Sequence, residues 1–144
     1  MVIKKYIFRK EVGIIFFVII LAILKDCYDN KVFKNKGGYV LGEITKTGYG
    51  STGNYCNYRY FYNGKSYTQD GNIGYNKIPN KGDYFLVILK KEIPYYSRII
   101  LKAPISKDSI KYDLSYYVWD SIPFNIDEKV INKTFEGFNK FCPR

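Results

Sequence analysis

The sequence predicts a mainly β protein: an N-terminal membrane-anchor helix, a small five- to six-stranded curled sheet or SH3/OB-like barrel, and a C-terminal amphipathic helix. Three observations lead to this fold class. Residues 12–24 (VGIIFFVIILAIL) contain no charged or polar side chain. Residues 39–101 contain five β-prone runs separated by Gly, Asn and Pro, and residues 126–141 place apolar side chains near helical spacing. The predicted units are a basic head with the anchor helix at residues 1–27, a linker at 28–37, the small β-domain at 38–104, and a strand with the C-terminal helix at 105–144.

The apolar run follows a basic head that contains Lys4, Lys5, Arg9 and Lys10. Its thirteen residues would cover about 20 Å as a helix, which matches a signal-peptide hydrophobic region and falls short of the roughly 30 Å of a bilayer core. A cleavage site with two small residues is missing, because Ala22 stands alone before Lys25. We therefore expect an uncleaved anchor, with a cleaved signal and a buried helix as alternatives. The predicted anchor residues are Val12, Ile15, Phe16, Phe17, Ile20 and Leu24.

The orientation of such an anchor is not fixed by charge. Four Lys or Arg residues precede the run, and Lys25, Lys31, Lys34 and Lys36 follow it. Because long domains translocate largely regardless of charge, we expect the C-terminal domain on the periplasmic or other extracytoplasmic side. With a net charge of +10, the predicted partners are the membrane and a protein, whereas nucleic acid is disfavoured.

The strand patterns begin after a predicted polar linker at residues 32–38. Five runs follow, at residues 39–47, 55–62, 65–69, 83–89 and 98–101. Asn63-Gly64 joins the second run to the third and predicts a type I′ hairpin turn, which needs positive φ at both central residues. Residues 83–89 form a continuous apolar run, whereas Pro94 interrupts the pattern before the last one.

Residues 38–104 resemble the small β-domain of short membrane-anchored bacterial proteins of unknown function. The resemblance rests on a Gly-Glu-Ile-Thr strand, an aromatic strand with an Asn-Gly-Lys hairpin, Lys-Gly-Asp before an apolar strand, and Pro and Ser before Ile-Ile-Leu. These are turn and core motifs, so the resemblance implies a fold and carries no activity.

The tail adds two predicted elements. Residues 110–116 alternate between apolar and polar side chains, which predicts one more strand. An amphipathic helix is predicted to follow, and its apolar positions are Ile126, Val130, Phe135, Phe138 and Phe141. We expect this helix to cover the open face of the sheet, with partner binding as the alternative.

Catalysis is disfavoured by composition. The chain has no histidine, so the usual general base and the commonest zinc ligand are missing, and no phosphate loop or nucleophile motif is present. We therefore predict no enzyme, no cofactor, no metal and no catalytic residue; an enzyme that uses Cys56 or Asp83 is the alternative. The chain has three cysteines, of which Cys56 and Cys142 are a possible disulfide. Cys27 would then remain unpaired. Three unpaired thiols are the alternative.

The predicted binding residues lie in and after the second strand run. They are Tyr58, Arg59, Tyr60, Tyr62 and Lys65. Aromatic rings beside cations suit stacked bases and phosphates, although alternation and the β propensity of Tyr explain the pattern as well. We expect a membrane-anchored noncatalytic interaction module, such as an envelope accessory or immunity-like protein. The alternative is a cytoplasm-facing binder of single-stranded nucleic acid or anionic lipid.

Overall fold

The computed structural model describes residues 2–51, 53–74, 77–110 and 118–134. One long helix precedes five strands, a 3-10 turn and a short helix. Their bounds are α1 Val2–Lys36, β1 Gly37–Gly50, β2 Gly53–Tyr62, β3 Lys65–Gly74, β4 Tyr84–Lys90, β5 Ile93–Ile105, the 3-10 turn Lys107–Ser109 and α2 Glu128–Thr134.

The five strands form one antiparallel sheet in the order β3-β2-β1-β4-β5. Although β3 and β5 are at opposite edges of this order, they contact each other, so the sheet is strongly curled. The approach is close at Gly71 of β3, where an added Cβ would lie 2.9 Å from the Ile99 side chain of β5. The curl creates an inner face, lined by all five strands, and an outer face.

The Asn63-Gly64 hairpin is confirmed. Asn63 has a φ of 50° and Gly64 a φ of 74°, and both values lie in the left-handed region that a type I′ turn requires. Tyr62 pairs with Lys65 across this turn. The turn therefore sets the register between β2 and β3.

Two hydrophobic cores lie on the two faces of the sheet. The inner core includes Val40, Ile44, Cys56, Tyr58, Tyr60, Ile73, Phe85, Val87 and Leu89. The outer core joins Leu86, Ile88, Ile100 and Ala103 of the sheet to Phe33 of α1 and Ile131 of α2. Strand β4 alternates between the two cores, so residues 85–89 are all buried. This double burial explains the continuous apolar run in the sequence.

The predicted membrane anchor is wrong. Across the residues that the structure describes, no helix combines the length and the apolar character that crossing a membrane requires. Helix α1 has 35 residues, but Glu11 and Lys25 bound its apolar run on either side. The anchor role is thus withdrawn, and with it the single-pass membrane localisation and the extracytoplasmic placement that depended on it. The residues concerned are Val12, Ile15, Phe16, Phe17, Ile20 and Leu24.

The structure also differs from the sequence prediction after the apolar run. Helix α1 continues to Lys36 through the predicted linker, and Phe33 in this part is only 1% exposed. The predicted C-terminal amphipathic helix is wrong as well: within the described part of the chain, α2 covers the seven residues Glu128–Thr134, of which Ile131 is the one that is buried. Phe135, Phe138 and Phe141 lie outside the described residues, as does the predicted strand beyond Ile110.

Candidate interaction site

The predicted binding residues of β2 do not form one surface. Tyr58 and Tyr60 point to the inner core and are 1% and 0% exposed. The Tyr58 hydroxyl is 3.0 Å from Ser97 Oγ, and the Tyr60 hydroxyl donates to the Pro94 carbonyl at 2.5 Å. Both bonds reach across the curl from β2 to β5. Burial also raises the pKa of both phenols. Because both rings are buried, no base can stack on them.

The other three predicted residues are divided between the inner side of the sheet and the exposed surface. Tyr62 is half-buried against the inner core. Arg59 lies on the outer side of β2, where its guanidinium is 2.8 Å from Glu43 and 5.9 Å from the centre of the Phe61 ring. Lys65 is exposed just after the turn. Strand alternation accounts for this split, because residues 58, 60 and 62 face inward and residue 59 faces outward.

The predicted bridge between Cys56 and Cys142 is wrong for Cys56. Its thiol is free and 0% exposed within the inner core. Strand β3 covers it, since an added Cβ at Gly71 would lie 3.0 Å from the Cys56 sulfur. Burial raises the pKa of this thiol. Cys27, expected to remain unpaired, is disulfide-bonded, and Cys142 lies outside the described residues.

A large exposed apolar surface lies on α1. We define the apolar segment as residues 12–24. Its side chains are exposed on every side of the helix: Ile14 is 64% exposed, Phe16 63% and Phe17 62%. Ten large apolar side chains of this segment are exposed, namely Val12, Ile14, Ile15, Phe16, Phe17, Val18, Ile19, Ile20, Leu21 and Leu24.

The base of α1, residues 27–36, is fixed to the sheet. Asp29 is 5% exposed, and its carboxylate accepts a bond from Lys90 Nζ at 2.6 Å and one from the Tyr96 hydroxyl at 2.7 Å. Phe33, one turn later, stacks on the Tyr96 ring with centroids 5.8 Å apart. Arg98 lies 5.3 Å from the centre of the Phe33 ring. We call Asp29, Lys90 and Tyr96 the ion cluster.

The ion cluster holds Asp29 in its charged form. Burial on its own raises the pKa of this carboxyl, but the bonds from Lys90 and Tyr96 and the charges of Lys90 and Lys25 outweigh it, so the pKa is lowered. The Lys90 ammonium is also 4.3 Å from the centre of the Tyr96 ring, within the range of a cation–π contact. Asp29 is therefore a fixed counter-ion for Lys90 and is not poised to exchange protons near neutral pH.

A shallow cleft of about 280 Å³ lies beside the ion cluster, between the end of α1 and the turn from β4 to β5. It is lined by Val32, Lys36, Lys90, Lys91 and Glu92. Lys90 is paired with Asp29, and Lys91 is paired with Asp120. Carboxylates therefore balance two of the three lysines that line the cleft. Over the described ranges, no three His, Cys, Asp or Glu side chains are grouped as metal ligands.

Sequence reasoning missed the base of α1 because it interpreted residues 32–38 as a linker. A signal was available: Asp29 and Phe33 are four residues apart, and no Gly or Pro interrupts the chain between the apolar segment and Gly37. Their partners Lys90 and Tyr96 come from distant strands, and no local pattern could identify them.

Comparisons with known proteins give no relative. A scan against protein-family models finds no match, and neither the search of curated proteins nor the search of solved structures finds a similar chain. The resemblance of residues 38–104 to a small β-domain therefore stays a prediction.

Proposed function

We propose that the protein is a noncatalytic interaction module, in which the curled sheet is a scaffold and the apolar segment of α1 binds a protein partner. One observation carries the proposal: ten large apolar side chains are exposed on a helix whose base is fixed by a buried ion pair. At about half exposure, they present roughly 800 Å² of apolar surface, whereas the largest patch on a typical monomer is about 300–600 Å².

The arrangement of α1 supports a binding role for this surface. A helix that is apolar on all sides is ordinarily surrounded by other apolar groups. Here the base of the same helix is buried and hydrogen-bonded, while the apolar segment extends away from the sheet. The scaffold therefore holds the apolar segment in a defined position, which lowers the conformational entropy lost when a partner binds.

The buried polar groups support a noncatalytic role. Asp29 is the one charged residue that is buried in the described part of the chain. Both of its oxygens are occupied by bonds that join α1 to the sheet. Its lowered pKa suits an ion pair and does not suit a general acid or base at neutral pH.

Site-specific photocrosslinking in the cells that make this protein would test the proposal. A photoreactive side chain would replace Val18, at the centre of the apolar segment, and in a matched control it would replace Tyr95. Tyr95 is 62% exposed and Val18 57%, so accessibility is comparable. We expect protein adducts from position 18 and at least fivefold fewer from position 95. Equal yields, or no protein adduct at position 18, would overturn the proposal.

A further inference from the structure

Charged residues bound the apolar segment in a directional order. Glu11 comes immediately before it and Lys25 immediately after it, and both side chains are exposed. Val18 lies seven residues from each of them, so all three lie on one side of α1. Ile14 and Ala22, four residues from Val18, share that side and are exposed. One side of the helix thus has an acid at its start, apolar residues along its centre and a base at its end.

We propose that two copies of this chain associate through this side of α1, with the helices antiparallel and Val18 facing Val18 at the two-fold axis. This inference rests on the proposed function and names its partner as a second copy. In this alignment Glu11 of each copy lies opposite Lys25 of the other, and Ile14 lies opposite Ala22. The interface is isologous, because each helix offers the same residues to its partner.

Charge favours the antiparallel arrangement over a parallel one. The antiparallel alignment places the opposite charges of Glu11 and Lys25 at the same register position on each end of the apolar segment. A parallel alignment would place Glu11 against Glu11 and Lys25 against Lys25, which is repulsive.

A parallel alignment would bring together the two complete basic heads, in a chain whose net charge is +10. The balance of charge along α1 thus favours antiparallel copies.

The apolar segment favours a second copy over a chemically different partner. It has no polar or charged side chain with which to recognise a partner by hydrogen bonds. The surface complementary to this segment is another apolar helix of equal length that is bounded by opposite charges. A second copy of the chain, placed antiparallel, has such a helix. One neighbour covers one side of each helix and leaves the other side for a second pair, so dimers and tetramers are the expected species.

Disulfide crosslinking of the purified full chain would test the pairing. Ile14→Cys and Ala22→Cys variants would be oxidised separately and as a mixture, with copper phenanthroline as the oxidant. Antiparallel copies bring position 14 of one chain to position 22 of the other, so the mixture should crosslink at least fivefold more than either variant alone. Of the native cysteines, Cys56 is 0% exposed and Cys27 is disulfide-bonded, and the native chain, oxidised alone, gives the background of all three.

A charge exchange would test the same pairing without cysteine. Glu11→Lys alone and Lys25→Glu alone should each weaken association about five- to tenfold in sedimentation, because each creates two like-charged contacts. The double variant restores opposite charges and should recover the native affinity. In parallel pairs the single variants would have little effect, since like charges already face each other there.

The inference is overturned by a chain that stays monomeric, by Ile14→Cys crosslinking with itself as efficiently as in the mixture, or by a monomer that binds anionic phospholipid vesicles. A monomeric chain that nevertheless gives adducts with a different protein from position 18 in cells would overturn the pairing and leave the proposed function standing. A chain that gives no protein adduct from that position would remove both.

Discussion

The apolar segment and the base of α1 belong to one continuous helix, yet they have opposite relations to the rest of the molecule. Residues 12–24 contain no charge and, apart from the half-buried Ile23, are exposed, whereas the base contains a charged residue, Asp29, that is buried. The apolar half is thus the solvent-facing one, and the half with the more polar sequence joins the outer core. Hydrophobicity alone does not decide which part of this helix packs on the sheet, since partners on β4 and β5 decide it.

The test with the largest expected effect replaces one phenylalanine in each half of the helix. Phe33→Ala removes a ring that is 1% exposed and packed on Tyr96, and we expect it to lower the free energy of unfolding by about 3–4 kcal/mol. Phe17 is 62% exposed, and Phe17→Ala should change that energy by less than about 0.5 kcal/mol at a concentration where the chain is monomeric. Urea unfolding followed by circular dichroism measures both. Equal effects would contradict the division of the helix.

The second test removes the charge of Asp29. Asp29→Asn leaves Lys90 without its carboxylate in a site where both side chains are largely buried, so we expect a loss of about 2–3 kcal/mol in the free energy of unfolding. The matched control is Glu43→Gln, which breaks the more exposed ion pair with Arg59 and should cost less than about 1 kcal/mol. Thermal unfolding of the three chains, compared at one pH, measures both effects.

Acid titration tests the same ion pair in the native sequence. The pKa of Asp29 is lower in the folded protein than its ordinary value of 3.8. Its contribution to stability is therefore fully present above that value and is lost as the pH falls through the lower folded-state pKa. Unfolding free energies measured between pH 5 and about pH 2 should fall more steeply for the native chain than for Asp29→Asn. Parallel curves would show that the ion pair contributes no pH dependence.

The smallest effect on stability is expected in the apolar segment. Val18 is 57% exposed, so Val18→Gln should change the unfolding energy of the monomer by less than about 0.5 kcal/mol. The same variant should weaken self-association, because position 18 lies at the proposed two-fold axis. Unfolding at low concentration and sedimentation at high concentration separate the two quantities. A large loss of monomer stability would show that Val18 packs within its own chain.

Much of the sheet could be predicted from the sequence because its signals are local. The Asn63-Gly64 turn and the run at residues 83–89 predicted a hairpin and a buried strand, and both are present. Pro94 interrupts the strand pattern in the sequence, but it lies within β5, where its carbonyl accepts the hydrogen bond from the Tyr60 hydroxyl. That carbonyl remains available to a neighbour although proline has no N–H to donate.

The candidate site was harder to predict because its contacts join residues far apart in the chain. Alternation places Tyr58, Tyr60 and Tyr62 on one face of the strand, but it cannot tell whether that face is covered. The curl of the sheet brings β5 over the rings of Tyr58 and Tyr60. For the apolar segment, composition indicates a membrane anchor, whereas Glu11 and Lys25 limit the length of the apolar run, and no helix among the described residues is long and apolar enough to cross a membrane.

Strand β4 has a consequence for how the protein unfolds. Its alternate side chains belong to the inner and outer cores, and Leu86, Val87, Ile88 and Leu89 are each 0% exposed. Neither core can open without uncovering one side of this strand, so we expect the two to melt as one cooperative unit. The amide hydrogens of its central residues should then exchange with deuterium only when the whole sheet comes apart.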